Sequence, residues 1–185
     1  MKMPRAWIHE EPEDLHDCRV FRVAQARARS PHSGESHTFY RIDADDWVNV
    51  VPVTPDDEIV MVRQYRHGSR EITLEIPGGI VDPGEDPARA AARELLEETG
   101  YRGSAPEPLC VLNPNPAVFG NRVHSFVVPG ARWVAAIQNS ATEETVVELV
   151  PAAELPRLLA SGAIDHALVV AALYGYALRG RGAEK

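Results

Sequence analysis

Cysteine is scarce in this chain of 185 residues, which contains only Cys18 and Cys110. Two cysteines so far apart in the sequence form neither a disulfide framework nor a zinc-binding pattern. We therefore expect both to be ordinary reduced thiols. The length and the apolar content of 44% suit one globular domain with a small extension.

Long apolar runs are also absent. No stretch is long enough to span a bilayer, and the beginning of the chain does not have the composition of a secretory signal. The sequence therefore predicts a cytoplasmic protein without a membrane partner.

Basic patches are missing as well. The formal net charge is −8 at pH 7, and no cluster of Lys and Arg stands out. Because nucleic acids are bound mainly through positive charge, this balance argues against a nucleic-acid partner.

The most informative segment is a loop that leads into a short acidic helix. Pro77–Gly79 and Asp82–Glu85 have the composition of loops and turns. Asp86 suits the N-cap and Pro87 the first helical position, while Gly100 is placed to end the helix. The sequence thus predicts a strand, a glycine loop, a turn and a helix in that order.

Three carboxylates lie on one face of this predicted helix. Glu97 and Glu98 are roughly 60° behind and 40° ahead of Glu94 around the helix axis. Like charges at this spacing repel, and the last turn of a helix disfavours anions. A bound divalent cation with a preference for oxygen ligands, such as Mg²⁺, is the simplest compensation.

The same segment resembles the Nudix box, G-x5-E-x7-R-E-U-x-E-E-x-G-U with U apolar, and matches it at every fixed position. Leu95 fills the first apolar position, and Tyr101 is a mild departure at the last. A solvated acidic helix would not also supply the arginine and the flanking glycines in this register. The fixed positions are occupied by Gly79, Glu85, Arg93, Glu94, Glu97, Glu98 and Gly100.

Resemblance to the Nudix family implies an α+β fold, the Nudix α/β/α sandwich, with a mixed β-sheet core beside the Nudix helix. β-branched runs at Trp47–Val53 and Glu58–Gln64 predict strands of that sheet. We expect residues 46–185 to form the hydrolase domain and residues 1–45 to add an N-terminal β-hairpin.

The resemblance also implies a Mg²⁺-dependent hydrolysis, with Mn²⁺ as a substitute ion. Glu94 and Glu98 are then the principal metal ligands, and Glu97 is a further catalytic ligand or a bridge between metals. The carbonyl oxygen of Gly78 commonly completes the coordination in this family.

Glu85 and Arg93 are expected to form an ion pair that orients the metal ligands, which gives Arg93 a catalytic role. The motif does not fix the general base. In the branch that resembles ADP-ribose pyrophosphatases the base is a Glu on a downstream loop, and Glu143 and Glu144 occupy the matching place. Two solvated loop acids would give the same pattern.

Several features outside the box resemble this ADP-ribose branch. Gln64–Arg66 matches its Gln-Tyr-Arg, and the arginine suits a phosphate or a terminal ribose, although a surface ion pair is the plainer interpretation. Glu75–Gly79 matches the lead-in to the box, and Pro116 falls where such enzymes carry a proline. Trp47 could stack on a base or simply anchor a strand.

The leading hypothesis is hydrolysis of ADP-ribose or a related nucleoside-diphosphate sugar to a nucleoside monophosphate and a sugar phosphate. Asn113–Ala117 differs from the Ser-Pro-Gly type of many ADP-ribose enzymes, so other nucleotide sugars remain open. The alternatives are a dinucleoside polyphosphate or other nucleotide pyrophosphate as substrate, and a non-catalytic domain that senses a nucleotide.

The strand-turn-strand pattern of residues 1–45 resembles the N-terminal strands with which members of this branch build dimers. The sequence therefore predicts a homodimer. A hairpin that only covers an edge of its own sheet would show the same pattern.

Overall fold

The computed structural model describes residues 3–181, which form two compact units. The first unit joins the described chain up to Asp45 to a later segment, Asn113–Arg122. The second unit contains Asp46–Leu112 and the described chain from Val123 onward. Residues 1–2 and 182–185 of the two predicted domains lie outside the described part.

Thirteen strands and three α-helices occur within residues 3–181. The strands are β1 (Ile8–His9), β2 (Glu13–Asp17), β3 (Arg22–Arg29), β4 (Ser36–Asp43), β5 (Trp47–Val53), β6 (Glu58–Arg66), β7 (Glu71–Glu75), β8 (Gly78–Ile80), β9 (Tyr101–Arg102), β10 (Glu107–Leu112), β11 (Val123–Pro129), β12 (Arg132–Trp133) and β13 (Thr145–Pro151). The helices are α1 (Pro87–Thr99), α2 (Leu155–Ser161) and α3 (Ala167–Arg181), and a 3-10 turn at Ala152–Glu154 precedes α2. Each of these helices is too short or too polar to cross a membrane.

The first unit contains an antiparallel sheet around β3. Strand β4 pairs with the full length of β3, while β1 and β2 also pair with it. Ala24, Ala26 and Ala28 of β3 are buried. The predicted N-terminal hairpin corresponds to β3 and β4. Strands β1 and β2 were not predicted, because they are exposed and show no apolar alternation.

The second unit contains a seven-stranded mixed sheet with the order β10-β11-β5-β6-β13. Strand β7 pairs with β6, and β8 pairs with β5. Only the β11–β5 pair in this sheet is parallel. Asn49 of β5 lies opposite Gly78 of β8, so the glycine loop is fixed against a central strand.

Helices cover both faces of this sheet. Val48 and Val50 of β5 belong to a core cluster with Leu95 of α1. Val51 belongs to a second cluster with Leu173 of α3. Successive residues of a strand point to opposite faces, so β5 is buried on both. The predicted α/β/α sandwich is confirmed.

The predicted ends of the acidic helix are also confirmed. The Asp86 side chain accepts hydrogen bonds from the N–H groups of Ala88 and Arg89, and Pro87 occupies the first turn. Gly100, with φ 73°, ends the helix in the left-handed conformation. Because both ends are fixed by local bonds, the carboxylates of α1 project from a defined position.

Candidate functional site

A cavity of about 800 Å³ lies in the second unit, and every residue that lines it belongs to that unit. Its volume is within the roughly 300–1,000 Å³ of small-molecule sites. The glycine loop and α1 supply one part of the wall. Strand β5, the ends of β6 and β7 with the turn between them, Glu143 and the start of α3 also contribute.

The three carboxylates of α1 differ in burial. Glu94 and Glu97 line the cavity, with side chains 14% and 43% exposed. Glu98 is only 6% exposed and lies behind the cavity wall, where its Oε2 accepts a 3.0 Å hydrogen bond from the N–H of Gly78. The glycine loop is therefore bonded directly to the last turn of α1.

Burial of these acids has a clear electrostatic effect. The pKa of Glu98 is raised to about 8, chiefly because burial disfavours its charged form. The negative charges of Glu94 and Glu143 contribute to this rise, and the hydrogen bond from Gly78 opposes it. The pKa of Glu94 is also raised, chiefly by burial. The positive charge near these two acids is too small to offset the cost of ionising a buried carboxylate.

Arg93 connects the acids of this region. Its Nε and Nη2 donate to the two oxygens of Glu85 at 3.2 and 2.9 Å. Its Nη1 donates to Glu94 at 2.7 Å and to Glu97 at 3.3 Å. The hydrogen bond to Glu85 is the main reason that the pKa of Arg93 is raised, so the guanidinium stays charged.

With Arg93 against two of the acids, the described residues contain no group of three His, Cys, Asp or Glu side chains already arranged to hold a metal ion. In this arrangement the positive partner of Glu94 and Glu97 is therefore Arg93.

Gly79 makes room for one of these carboxylates. A Cβ atom at this position would overlap the carboxylate of Glu94. The box therefore needs glycine here because Glu94 packs directly against the loop.

Replacing Gly79 by Ala should displace the Glu94 carboxylate and lower the rate of any hydrolysis in which this carboxylate takes part by about tenfold or more, since near 1.4 kcal/mol of lost transition-state stabilisation is a factor of ten. Stability should change little, because the group that must move is the end of a flexible side chain. Kinetics and thermal unfolding measure both effects. Gly120→Ala, where a Cβ meets nothing within 4 Å, is the matched control. Equal activity in the two variants would contradict the packing argument.

A second cluster of charged side chains contributes to the cavity wall. Arg66 pairs with Glu75 through two hydrogen bonds of 2.7 Å, and Thr73 donates to the same carboxylate at 2.6 Å. Burial alone would raise the pKa of Glu75, but the hydrogen bonds from Arg66 and Thr73 hold it below its ordinary value. His166 approaches Glu75 from the start of α3. Sequence reasoning singled out Arg66 but gave no signal for His166.

The two candidate bases on the downstream loop differ in their position relative to the cavity. Glu143 lines the cavity, and its carboxylate accepts a 2.8 Å hydrogen bond from the hydroxyl of Ser140. Glu144 is exposed and is not among the lining residues. Thr145, which begins β13, donates to the carbonyl oxygen of Glu98 at 2.7 Å, so the loop is joined to the end of α1.

The two remaining predicted substrate contacts lie in different units. Trp47 begins β5 and lines the cavity. Pro116 is an exposed residue of the 113–122 segment in the first unit. Trp47 is therefore part of the cavity wall, and Pro116 belongs to the other unit.

Comparison with known proteins gives a family match and several sequence relatives. The family model described as the NUDIX domain matches residues 46–173. A CMP-5'-(N-acetyl-N-hydroxy-3-aminopropyl)phosphonate hydrolase of Streptomyces rubellomurinus is 31% identical over 156 residues, which cover 84% of this chain and 75% of that protein. An ADP-ribose pyrophosphatase of Mycobacterium tuberculosis is 30% identical over 161 residues, covering 86% of this chain and 77% of that protein.

A solved structure supports the fold. The crystal structure of an ADP compounds hydrolase matches with a TM-score of 0.87 and covers 100% of this chain and 99% of that chain. At 24% sequence identity, this likeness concerns the fold alone.

Proposed function

The chain belongs to the NUDIX family, and on this premise we propose that it hydrolyses the pyrophosphate bond of ADP-ribose or a related nucleoside-diphosphate sugar. The products are a nucleoside monophosphate and a sugar phosphate. The relative from Mycobacterium tuberculosis is named for ADP-ribose and the one from Streptomyces rubellomurinus for a CMP-linked phosphonate. Both names support a substrate in which a nucleotide is joined to a second group.

The observation that carries this proposal is the set of buried acids beside a cavity of about 800 Å³. Glu94 lines the cavity, Glu98 lies directly behind Gly78, and the pKa of both acids is raised. Buried acids with displaced pKa values are typical of functional sites. The cavity has the volume to take a nucleotide sugar.

A divalent metal ion accompanies this chemistry in the family, and Mg²⁺, with Mn²⁺ as a substitute, is the ion we propose. The residues present fit such an ion, because hard cations prefer oxygen ligands and the buried acids need positive charge. Glu94, Glu97 and Glu98 would hold it, with the carbonyl oxygen of Gly78. When bound, the ion would lower the pKa of a water molecule and polarise a phosphoryl oxygen.

Two groups of the chain assist the acids of α1. Arg93, itself bonded to Glu85, fixes the orientation of Glu94 and Glu97 through its Nη1. Glu143 is the proposed general base, which takes a proton from the attacking water, because it lines the cavity while Glu144 does not.

The remaining assignments concern the substrate. Arg66 donates to a phosphoryl oxygen, for which a planar guanidinium is well suited. Trp47 offers an aromatic surface at the cavity wall for the nucleotide base. Pro116 remains a proposed contact from the sequence resemblance alone.

We further propose that residues 46–185 are the hydrolase domain and that residues 1–45 form an extension that mediates a homodimer. Several large apolar side chains of the first unit are exposed, and such surfaces mark contact sites. They include Trp7, Ile8, Phe39 and Tyr40. A monomer mass in sedimentation equilibrium at micromolar concentration would contradict the dimer.

A panel of substrates tests the proposed function. ADP-ribose, GDP-mannose, UDP-glucose, NADH and diadenosine polyphosphates are incubated with the protein and Mg²⁺, and release of nucleoside monophosphate is measured. We expect cleavage concentrated in the nucleotide sugars and abolished by EDTA. Turnover confined to the polyphosphates would transfer the assignment to that class. Stabilisation by ADP-ribose without its consumption would indicate a nucleotide sensor.

A further inference from the structure

Glu75 is an ionised acid in an unusual position. Its side chain is 2% exposed, and its oxygens accept hydrogen bonds from Arg66 and Thr73. Burying an ion pair carries a desolvation cost, and apolar replacements are often equally stable or more stable. The stability of the fold therefore does not explain why an ion pair occurs at this position. A need to hold the Arg66 guanidinium in one orientation at the cavity wall does explain it.

The pairing with Glu75 leaves part of Arg66 available to the cavity. Glu75 takes the Nε hydrogen and one hydrogen of Nη2, so the donors on Nη1 and the second on Nη2 remain. The Arg66 side chain is 43% exposed and lines the cavity. Because a guanidinium has no acceptor, its partner in the cavity must be an acceptor, such as a phosphoryl oxygen.

His166, just before α3, approaches the same carboxylate. Its Nδ1 lies 3.4 Å from Oε2 of Glu75 and is buried without a hydrogen-bond partner among the described residues. The side chain as a whole is 39% exposed and lines the cavity, so its exposed part is the remainder of the ring. In the tautomer whose ring hydrogen lies on Nδ1, toward Glu75, Nε2 is an acceptor.

We propose that Arg66 and His166 form one binding unit for a phosphate that carries a hydroxyl-bearing group, and that Glu75 is the positioning residue of this unit. Arg66 donates to the phosphoryl oxygen, and Nε2 of His166 accepts from a hydroxyl beside it. Glu75 touches both side chains and no substrate atom. The inference rests on the proposed function, because a nucleotide sugar supplies both groups.

The test is the affinity for a non-hydrolysable α,β-methylene analogue of ADP-ribose, measured by calorimetry, together with kcat and KM for ADP-ribose. His166→Leu removes the acceptor and should weaken binding about tenfold, the effect of one lost hydrogen bond in a buried site. His166→Gln keeps an acceptor at a similar reach and should recover part of the loss. Glu75→Gln should raise KM about tenfold or more and leave kcat within a few-fold.

A double-mutant cycle of Glu75 and His166 distinguishes a positioning role of Glu75 from a purely structural one. If Glu75 holds His166, the effect of His166→Leu should nearly vanish when Glu75 is already Gln. Additive losses, or equal affinity of His166→Leu and wild type, would overturn the proposal. Should Glu75→Gln fail to fold, Glu75→Asp takes its place in the cycle with His166→Leu, because the shorter side chain keeps the charge and withdraws the carboxylate from His166.

A second ion pair on the same strand provides the matched control. Arg63 of β6 donates to Glu148 of β13 at 2.6 Å, and neither side chain lines the cavity. Glu148→Gln should leave the affinity for the analogue unchanged.

The binding measurement does not require turnover, so a wild-type protein that binds the analogue without hydrolysing ADP-ribose contradicts the proposed function and not this inference. Failure of the wild type to bind the analogue would overturn the inference itself.

Discussion

Replacing Glu98 by Gln is expected to lower kcat/KM by roughly 10²–10⁴-fold and to leave the protein folded. A catalytic metal ion contributes several kcal/mol to the transition state, and each 1.36 kcal/mol is a factor of ten. Gln has the size of Glu and keeps an oxygen that can accept the hydrogen bond from Gly78. It lacks the negative charge that a divalent cation requires.

The stability of this variant is as informative as its activity. Glu98 is 6% exposed, and burial disfavours an ionised carboxylate, so a neutral amide in its place should not weaken the metal-free fold. Adding Mg²⁺ should raise the melting temperature of the wild type and have a much smaller effect on Glu98→Gln.

An exposed acid serves as the control for this experiment. Glu107 lies on β10 and pairs with Arg179 at 2.6 Å, and its side chain is not part of the cavity wall. Glu107→Gln removes the same charge from the protein and should keep normal turnover. If Glu98→Gln also turns over substrate at a near-normal rate, Glu98 is not a metal ligand. The hypothesis that the acids of α1 hold a catalytic metal ion is then wrong.

The sequence predicted the acidic helix well because its signals are local. Asp86, Pro87 and Gly100 act on hydrogen bonds within one or two turns of their own positions, so their effect is visible in a short window of sequence. The β-branched runs that became β5 and β6 are similarly local. These local signals predicted individual elements, whereas the α/β/α sandwich was predicted from the resemblance to the Nudix family.

The second charged cluster was not predictable in the same way. Glu75 and His166 meet only because β7 and the start of α3 come together in the folded chain, and no spacing rule connects positions so distant in sequence. Burial also decides what a residue can do. Glu75 occurs in the segment that leads into the box, but nothing in that segment indicates that its side chain is almost completely buried.

The loop acids show the same limit at shorter range. Glu143 and Glu144 are adjacent and chemically identical, so sequence reasoning left them as equal candidates. The folded chain distinguishes their positions, because a turn bond joins the N–H of Glu143 to the carbonyl oxygen of Ser140 just before β13 begins. Only Glu143 of this pair lines the cavity, while the next residue, Thr145, turns inward to bond the end of α1.

Glu143→Gln should therefore reduce kcat by about 10²–10⁴-fold, the usual contribution of a positioned general base, and Glu144→Gln should reduce it by less than about threefold. Both variants replace a Glu by Gln at adjacent positions and remove one negative charge, so each is a control for the other's change in charge. KM should change little in both, because the base acts on water and not on the bound sugar. Single-turnover kinetics with ADP-ribose and Mg²⁺ isolate the chemical step from product release. A large loss in Glu144→Gln alone would exchange the two assignments, whereas full rates in both variants would place the base outside this loop.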